Sequence, residues 1–205
     1  RALAGGVEMM SRVPFLGDSA SYYTDASLPK RTRFIPVVLA ADRLAEAEGV
    51  SREQLDAVAL VSQQRAGAAE ANPALTASRV LLGGLSHDEC ARPQSTAQSL
   101  AAMAPSFAAL AAQYADALDG PIDHRHTIGH APPICDGAGL ALIGGAPKAS
   151  DKPRARILGY AESGGDPHAS LLAGFSAMAK VLQHTGLTLA DLDRIEFMEA
   201  FAVTI

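Results

Sequence analysis

Tryptophan is absent, and aromatic residues together make up only 5% of the 205 residues. A core built from this sequence must therefore be aliphatic, with its abundant alanines letting elements approach closely. Cysteine is nearly absent too. Cys90 and Cys135 stand far apart without a Cys-x-x-Cys pair, which excludes a disulfide scaffold and reads as reduced thiols in a cytosolic protein. An excess of positive charge is missing: the net charge is −5 and the pI about 5.6, so no basic stripe points to a nucleic-acid partner. Uninterrupted apolar runs are far too short to cross a bilayer, and the opening residues do not read as a signal peptide. Neither Gly-x-Ser-x-Gly nor a phosphate-cradling P-loop occurs. Gly137-x-Gly139 lacks a third glycine at dinucleotide-binding spacing and the acid expected about 20 residues on, which excludes a nicotinamide site.

What is present is a globular sequence, 48% hydrophobic with a mean hydropathy of +0.11, long enough for one or two domains. Its punctuation predicts mixed helices and strands. Residues 1–11 read as the end of a buried strand, a turn at Gly5-Gly6 and a polar cap. Residues 12–38 read as loop, with a small basic cluster at Lys30, Arg31 and Arg33. That cluster is either a solvated face or a phosphate-facing one. Ala40 to Glu48 predicts a helix closed by Gly49. The capping box Ser51-x-x-Gln54 starts a longer one, with Leu55, Val58, Ala59, Ser62, Ala66 and Ala69 on one face. Ser95-x-x-Gln98 predicts another helix start, and Phe107 to Leu118 an amphipathic helix ended by Gly120-Pro121. Gly144 to Lys152 reads as a polar linker, Arg156 to Glu162 as a strand, and Leu171 to Leu182 as a helix closed by Gly186.

The chain is organised around its last stretch, Arg194 to Val203. Ile195 to Phe197 predicts a short strand, and from Glu199 the residues favour helix, with an acid where the helix dipole is positive. A strand running into a helix N-terminus presents backbone N–H groups at its end, the usual place for anion and oxyanion sites in α/β enzymes. Chemistry is therefore expected near Met198 and Phe201. Both chain ends read as cut through structure, so the sequence is expected to be a piece of a longer polypeptide.

Other chemistry-bearing residues are sparse. His124-x-His126-x-x-x-His130 has metal-like spacing but no fourth ligand, so no metal is expected. Cys135 is the better of two poor nucleophile candidates. With no helix start or base beside it, both cysteines read as inert, buried thiols.

Glu199-Ala200-Phe201-Ala202 resembles the Asn/His-Glu-Ala-Phe motif of thiolases, which make or cleave 3-ketoacyl-CoA by Claisen chemistry. Four further segments match in order. Ala4 to Ser11 resembles Ala-Gly-Gly-x-Glu-Ser-Met-Ser. Ala41 to Ala45 and Val50 to Ser62 resemble the family's loop domain, as do Arg92-Pro93-x-Ser95-Thr96 and Pro105-x-Phe107. Thr127 to Leu142 resembles the loop along the pantetheine arm and the buried strand after it. Asp166-Pro167 and Ala177-x-x-Lys180-x-Leu182 match a later turn and helix.

The resemblance implies an α/β fold, the layered α/β/α/β/α thiolase architecture in part, with an inserted, mainly helical loop domain. Residues 1–33 would end the N-terminal half, 34–126 form the loop domain, 127–147 supply the last strand of that half, and 148–205 begin the C-terminal half. It implies acyl-CoA C-acyltransferase activity on acetyl-CoA or 3-ketoacyl-CoA, with CoA thioesters as substrates and no separate cofactor. The alternative is a non-catalytic CoA- or acyl-binding relative partnering an active subunit. A homo-dimer or homo-tetramer and a cytoplasmic location follow from the same resemblance. No catalytic residue is carried over within the chain, because the family's nucleophile lies upstream and its Gly-His-Pro and Cys-x-Gly motifs downstream. Met198 occupies the family's Asn/His position and cannot act as a polar donor. Substrate-binding positions carried over are Gly129, His130, Ala131, Pro132, Ala200 and Phe201. The family's Asn is His130 here, and its pantetheine-bonding Ser is Pro132, which has neither hydroxyl nor N–H. Val37-Val38 replace the substrate-touching Met-Gly pair, and the segment before Gly120 is longer than in most relatives.

Overall fold

The structure is a computed structural model that describes residues 1–145, 147–148, 152 and 154–205. The predicted linker over 144–152 lies partly outside the described residues.

Two long helices form its centre. Pro36, extended at ψ 136°, ends the preceding loop, and α1 (Val37–Ala47) begins three residues before the predicted start. The reason is packing: Val38 and Leu39 are buried with Ala40, Ala41 and Ala45, so the first turn belongs to the core. The predicted capping box starts α2 (Arg52–Glu70): Ser51 Oγ accepts from the Gln54 amide at 3.3 Å, and Gln54 Oε1 accepts from the Ser51 amide at 2.7 Å. Leu55 and Ala59 lie inward on the expected face. After the short helix α3 (Pro73–Thr76), α4 (Ala97–Ala101) begins one residue later than the sequence suggested. Thr96, rather than Ser95, is in the extended conformation that lets its hydroxyl accept from the Ser99 amide at 3.0 Å. The predicted helix over 107–118 is broken at Tyr114 into α5 (Ala108–Gln113) and a 3-10 turn, Ala115–Ala117. The break brings both Ala117 and Leu118 into the core beside α1. α6 (Ala173–Thr185) closes at Gly186 as expected.

The basic cluster holds the protein's own chain. Lys30 Nζ pairs with Asp119 at 3.1 Å, and the Arg33 guanidinium donates to the carbonyls of Ala26, Leu28 and Asp116. Lys30 and Arg33 thus tie the loop over 12–38 to the segment after α5.

Two strands pair antiparallel, β1 (Ala2–Met9) with β2 (Asp136–Ile143), in a register running from Ala2 opposite Ile143 to Met9 opposite Asp136. Gly5 and Gly6 lie inside β1 rather than at a turn. A Cβ on Gly5 would stand 2.4 Å from the Gly139 carbonyl, so the backbones approach closely there. Both strands are exposed along their length, contrary to the buried strands expected, because nothing among the described residues covers either face of the ribbon. Arg156 to Glu162 and Ile195 to Phe197 are likewise not strands: among the described residues no neighbouring strand offers them a ladder. Helix after Glu199 is confined to a 3-10 turn, Ala202–Thr204, because Phe201 is extended (φ −150°, ψ 153°) with its ring in the core.

Candidate functional site

The site is assembled on two buried carboxylates, one from each central helix. Asp42 sits in the apolar stripe of α1 with no exposed surface. Its Oδ1 accepts from the amides of Arg125 at 3.1 Å and His126 at 2.9 Å, and from His126 Nδ1 at 2.7 Å; its Oδ2 pairs with His124 Nδ1 at 2.9 Å. Burial alone would raise the Asp42 pKa, but the bonds from His126 and His124 outweigh it and hold the carboxyl below its ordinary value. The same segment is fixed from outside by Arg125, whose Nη1 donates to the last carbonyls of α1 and its turn, Ala45 at 3.2 Å and Val50 at 2.5 Å.

Asp56, on α2, holds the next residues. Its Oδ1 meets His130 Nε2 at 2.6 Å and Arg52 Nε at 2.9 Å. Arg52 Nη2 reaches the carbonyls of Leu100 at 2.7 Å and Met103 at 2.9 Å, so one guanidinium joins α2 to the end of α4. The Thr127 amide donates to His130 Nδ1 at 3.1 Å, which leaves Nε2 as the protonated nitrogen that donates to Asp56. Burial disfavours the His130 imidazolium more than Asp56 favours it, so its pKa lies below the ordinary value.

On this frame, Thr127 caps a 3-10 turn over Ile128–His130. Gly129 lets the turn pack closely there: a Cβ would lie 2.9 Å from Leu100 Cδ2 and 3.1 Å from Met103 Sδ, so those side chains would have to shift. Ala131 packs on the core that also contains Phe201 and touches Ala200. The His126 ring stands edge-on to both Phe201 and His130, each at 5.8 Å between centroids. Its Nδ1 is engaged by Asp42, while its buried Nε2 has no protein partner. Glu199 is tied to α2 through a short hydrogen bond from Ser62 Oγ. The structure thus brings Gly129, His130, Ala131, Ala200 and Phe201 together over α1 and α2. His130 itself is turned inward. Pro132 and Met198 face outward, Met198 84% exposed.

The three histidines do not converge: His124 and His126 go to Asp42 and His130 to Asp56. Among the described residues no cluster of three His, Cys, Asp or Glu could hold a metal ion. A depression of about 490 Å³ is lined by Gly49, Ser51, Arg52, Pro105, Asp123, His124 and Arg125, away from Pro132 and Phe201. Its two arginines are committed to the partners just named. The cysteines also depart from expectation. Both are free, but Cys135 is exposed rather than buried, and Cys90 is only partly covered. Asp42 and Asp56 as site-builders were missed from the sequence alone. The available signal was an acid inside an apolar helical stripe, with three histidines needing partners.

A thiolase N-terminal domain model matches residues 1–145, and a thiolase C-terminal domain model matches residues 151–205. The chain belongs to the thiolase family. It is 33% identical over 214 residues to a 3-ketoacyl-CoA thiolase of Colwellia psychrerythraea, covering 98% of this chain and 52% of that protein. The structure of human mitochondrial 3-ketoacyl-CoA thiolase in complex with CoA superposes with a TM-score of 0.73 at 29% identity, covering 98% of this chain and 53% of that one. An acetyl-CoA acetyltransferase from Syntrophomonas wolfei has the same fold, with a TM-score of 0.74 at 24% identity and the same coverage. The chain therefore spans about half the length of the thiolases it matches, and the fold is the α/β thiolase fold over nearly all of it.

Proposed function

We propose that this thiolase chain is part of an acyl-CoA C-acyltransferase that condenses acetyl-CoA or cleaves 3-ketoacyl-CoA. The observation that carries the reading is the junction of two segments matching family motifs. The Gly129–Pro132 loop and Glu199–Phe201 are separated along the chain by β2 and α6, yet they meet across the His126 and Phe201 rings. In this reading the loop carries the pantetheine arm of a CoA thioester. Gly129 and Ala131 offer backbone and a close surface, the inward His130 sets the loop's shape, and Phe201 with Ala200 borders the acyl group. Pro132 removes one hydrogen bond to the pantetheine amide. The proposed division is 1–33, 34–126, 127–147 and 148–205, as the resemblance implies.

A homo-dimer or homo-tetramer is proposed as the working form, supported by the uncovered apolar side chains of the β1–β2 ribbon. The proposed compartment is the cytoplasm, supported by two free cysteines; among the described residues no helix is long and apolar enough to cross a membrane. The test is acetoacetyl-CoA thiolysis by the full-length protein, with CoA binding followed by calorimetry. CoA-dependent cleavage is expected. Binding without turnover would indicate the non-catalytic alternative, and no binding at millimolar CoA would overturn both.

A further inference from the structure

Four of the chain's ten aromatic side chains gather around one cavity. It holds about 440 Å³ and is lined chiefly by Phe15, Tyr22, Tyr23, Phe34, Ile35 and Val37. Its walls are held in place. The Phe34 ring meets Tyr23 at 4.8 Å and Tyr22 at 5.9 Å between centroids, and Tyr114 braces it at 5.8 Å. The Tyr22 hydroxyl donates to the Thr32 carbonyl at 3.0 Å, and the Tyr23 hydroxyl to Asp18 Oδ2 at 3.1 Å. Both phenols thus commit their polar atoms to the loop over 12–38 and leave ring surface for the cavity. Phe15 stands on a tight turn in which Leu16 (φ 59°) and Ser19 (φ 51°) adopt the left-handed backbone that residues other than glycine rarely take. Hydrogen bonds from the Gly17 amide to the Pro14 carbonyl at 2.8 Å and from the Ser19 amide to the Leu16 carbonyl at 3.0 Å close it. Such backbone persists where the surrounding structure imposes it, and it clusters at ligand clamps. Among the described residues no charged side chain lines the cavity. The cavity adjoins the site described above: Ile35 belongs to the same buried cluster as Phe201, and Val37 packs against that cluster, as do Ala131 and Ala200.

We propose that this cavity takes the far end of the acyl group, and that the group it favours is a phenyl ring ending a 3-ketoacyl chain. The inference rests on the proposed acyl-CoA reading and adds a substrate class to it. A phenyl ring can lie offset or edge-on to Phe34 and Tyr23, a contact stronger than area burial alone and one that an alkyl chain lacks. A chain ending in a carboxylate would bring a charge against apolar walls with nothing to pair it. Acetoacetyl is too short to fill the space. Thiolysis of one such substrate, 3-keto-5-phenylpentanoyl-CoA, breaks the bond between C2 and C3. The CoA sulfur ends on C3 and the thiol proton on C2, giving 3-phenylpropanoyl-CoA and acetyl-CoA.

The test compares kcat/KM of the full-length protein for 3-keto-5-phenylpentanoyl-CoA, 3-ketooctanoyl-CoA and 3-ketoadipyl-CoA. The phenyl substrate should exceed the alkyl one about three- to tenfold, and the carboxylate-ended one by more. Phe15→Ala should lower the phenyl-to-alkyl ratio several-fold; Phe15 is 57% exposed, so its loss leaves the core packed. Tyr22→Leu should lower the same ratio. Calorimetry with 3-phenylpropanoyl-CoA and hexanoyl-CoA reads the cavity without turnover: wild type should bind the phenyl ester more tightly, and Phe15→Ala should lose that advantage. This binding pattern without cleavage of any substrate would keep the cavity's role and overturn the enzymatic reading. Cleavage with no preference for phenyl, or a ratio unmoved in both variants, would overturn the proposal and leave the enzymatic reading standing. Binding of neither ester would overturn both. If Phe15→Ala instead dissociates an oligomer in sedimentation while the ratio holds, a second copy of the chain covers the cavity and the proposal fails.

Discussion

His130 Nε2 lies 2.6 Å from Asp56 Oδ1, so the side chain that matches the family's asparagine, in the loop proposed to carry pantetheine, is held inside the protein. The loop's shape is thereby coupled to α2 and, through Arg52 on the same carboxylate, to the end of α4. An asparagine at this position does not titrate, whereas a histidine does.

That difference predicts a pH dependence. The His130 pKa is depressed below its ordinary value of 6.5 because burial penalises the imidazolium. The unfolded chain then binds this proton more readily than the folded one. The stabilisation is complete above pH 6.5 and is lost as pH falls through the depressed folded value. The full-length protein should show a Tm that declines between about pH 7 and pH 5, and His130→Gln should decline less over the same range. Parallel curves for wild type and variant would show that another group titrates there.

Asp42 is the stronger structural anchor. Replacing it with alanine would leave two amides and two histidine rings without their acceptor inside the core. Losing one partner of a buried charged network typically costs about 3–5 kcal/mol. Asp42→Ala should therefore unfold at markedly lower denaturant concentration in a urea titration of the full-length protein. Because the Asp42 pKa is depressed, its contribution is present above the ordinary value of 3.8 and is lost only as pH falls below it. A stability change under 1 kcal/mol in Asp42→Ala would mean that the 124–126 segment is held chiefly by Arg125.

The contrast between what the sequence disclosed and what it hid follows from the range of the interactions. Ser51 and Gln54 are three residues apart, so their mutual capping and the start of α2 were legible. So was the stop of α6 at Gly186. The family motifs named the fold and pointed to Gly129, Ala200 and Phe201. Asp42 and His126 were not legible as a pair, because 84 residues separate them and only tertiary packing brings them together. Ile195 to Phe197 has strand composition, but composition supplies no hydrogen-bonding neighbour.

A polypeptide restricted to residues 1–205 should be poorly behaved. Leu3, Val7, Leu140 and Leu142 of the ribbon are 69%, 72%, 75% and 64% exposed, and a two-stranded ribbon offers two open edges. Such a polypeptide should bind anilinonaphthalene sulfonate, sediment as aggregates and melt without a cooperative transition. A sharp two-state melt of a soluble monomer would contradict this expectation.

Met198 carries the most consequential prediction for activity. Family thiolases hold a polar Asn or His at this position, where it positions the water that stabilises an enolate oxygen. Methionine offers no donor for that water. Loss of one such donor typically costs about 3–4 kcal/mol of transition-state stabilisation, or about 10²–10³ in rate. Condensation and thiolysis should therefore be slow beside a thiolase with asparagine, while acylation of the nucleophile, served by a different oxyanion site, should suffer less. At 84% exposure the Met198 side chain makes little contribution to the core, so Met198→Asn should leave Tm nearly unchanged. It should raise acetoacetyl-CoA turnover in the full-length protein, with KM moving less than kcat because the gain is confined to the transition state. The measurement is steady-state thiolysis by wild type and variant side by side, with burst-phase acylation recorded for both. A wild type already as fast as ordinary thiolases, with the variant no faster, would show that another group holds the water. The unpartnered, buried Nε2 of His126, on the ring that packs against Phe201, would then be the next group to test.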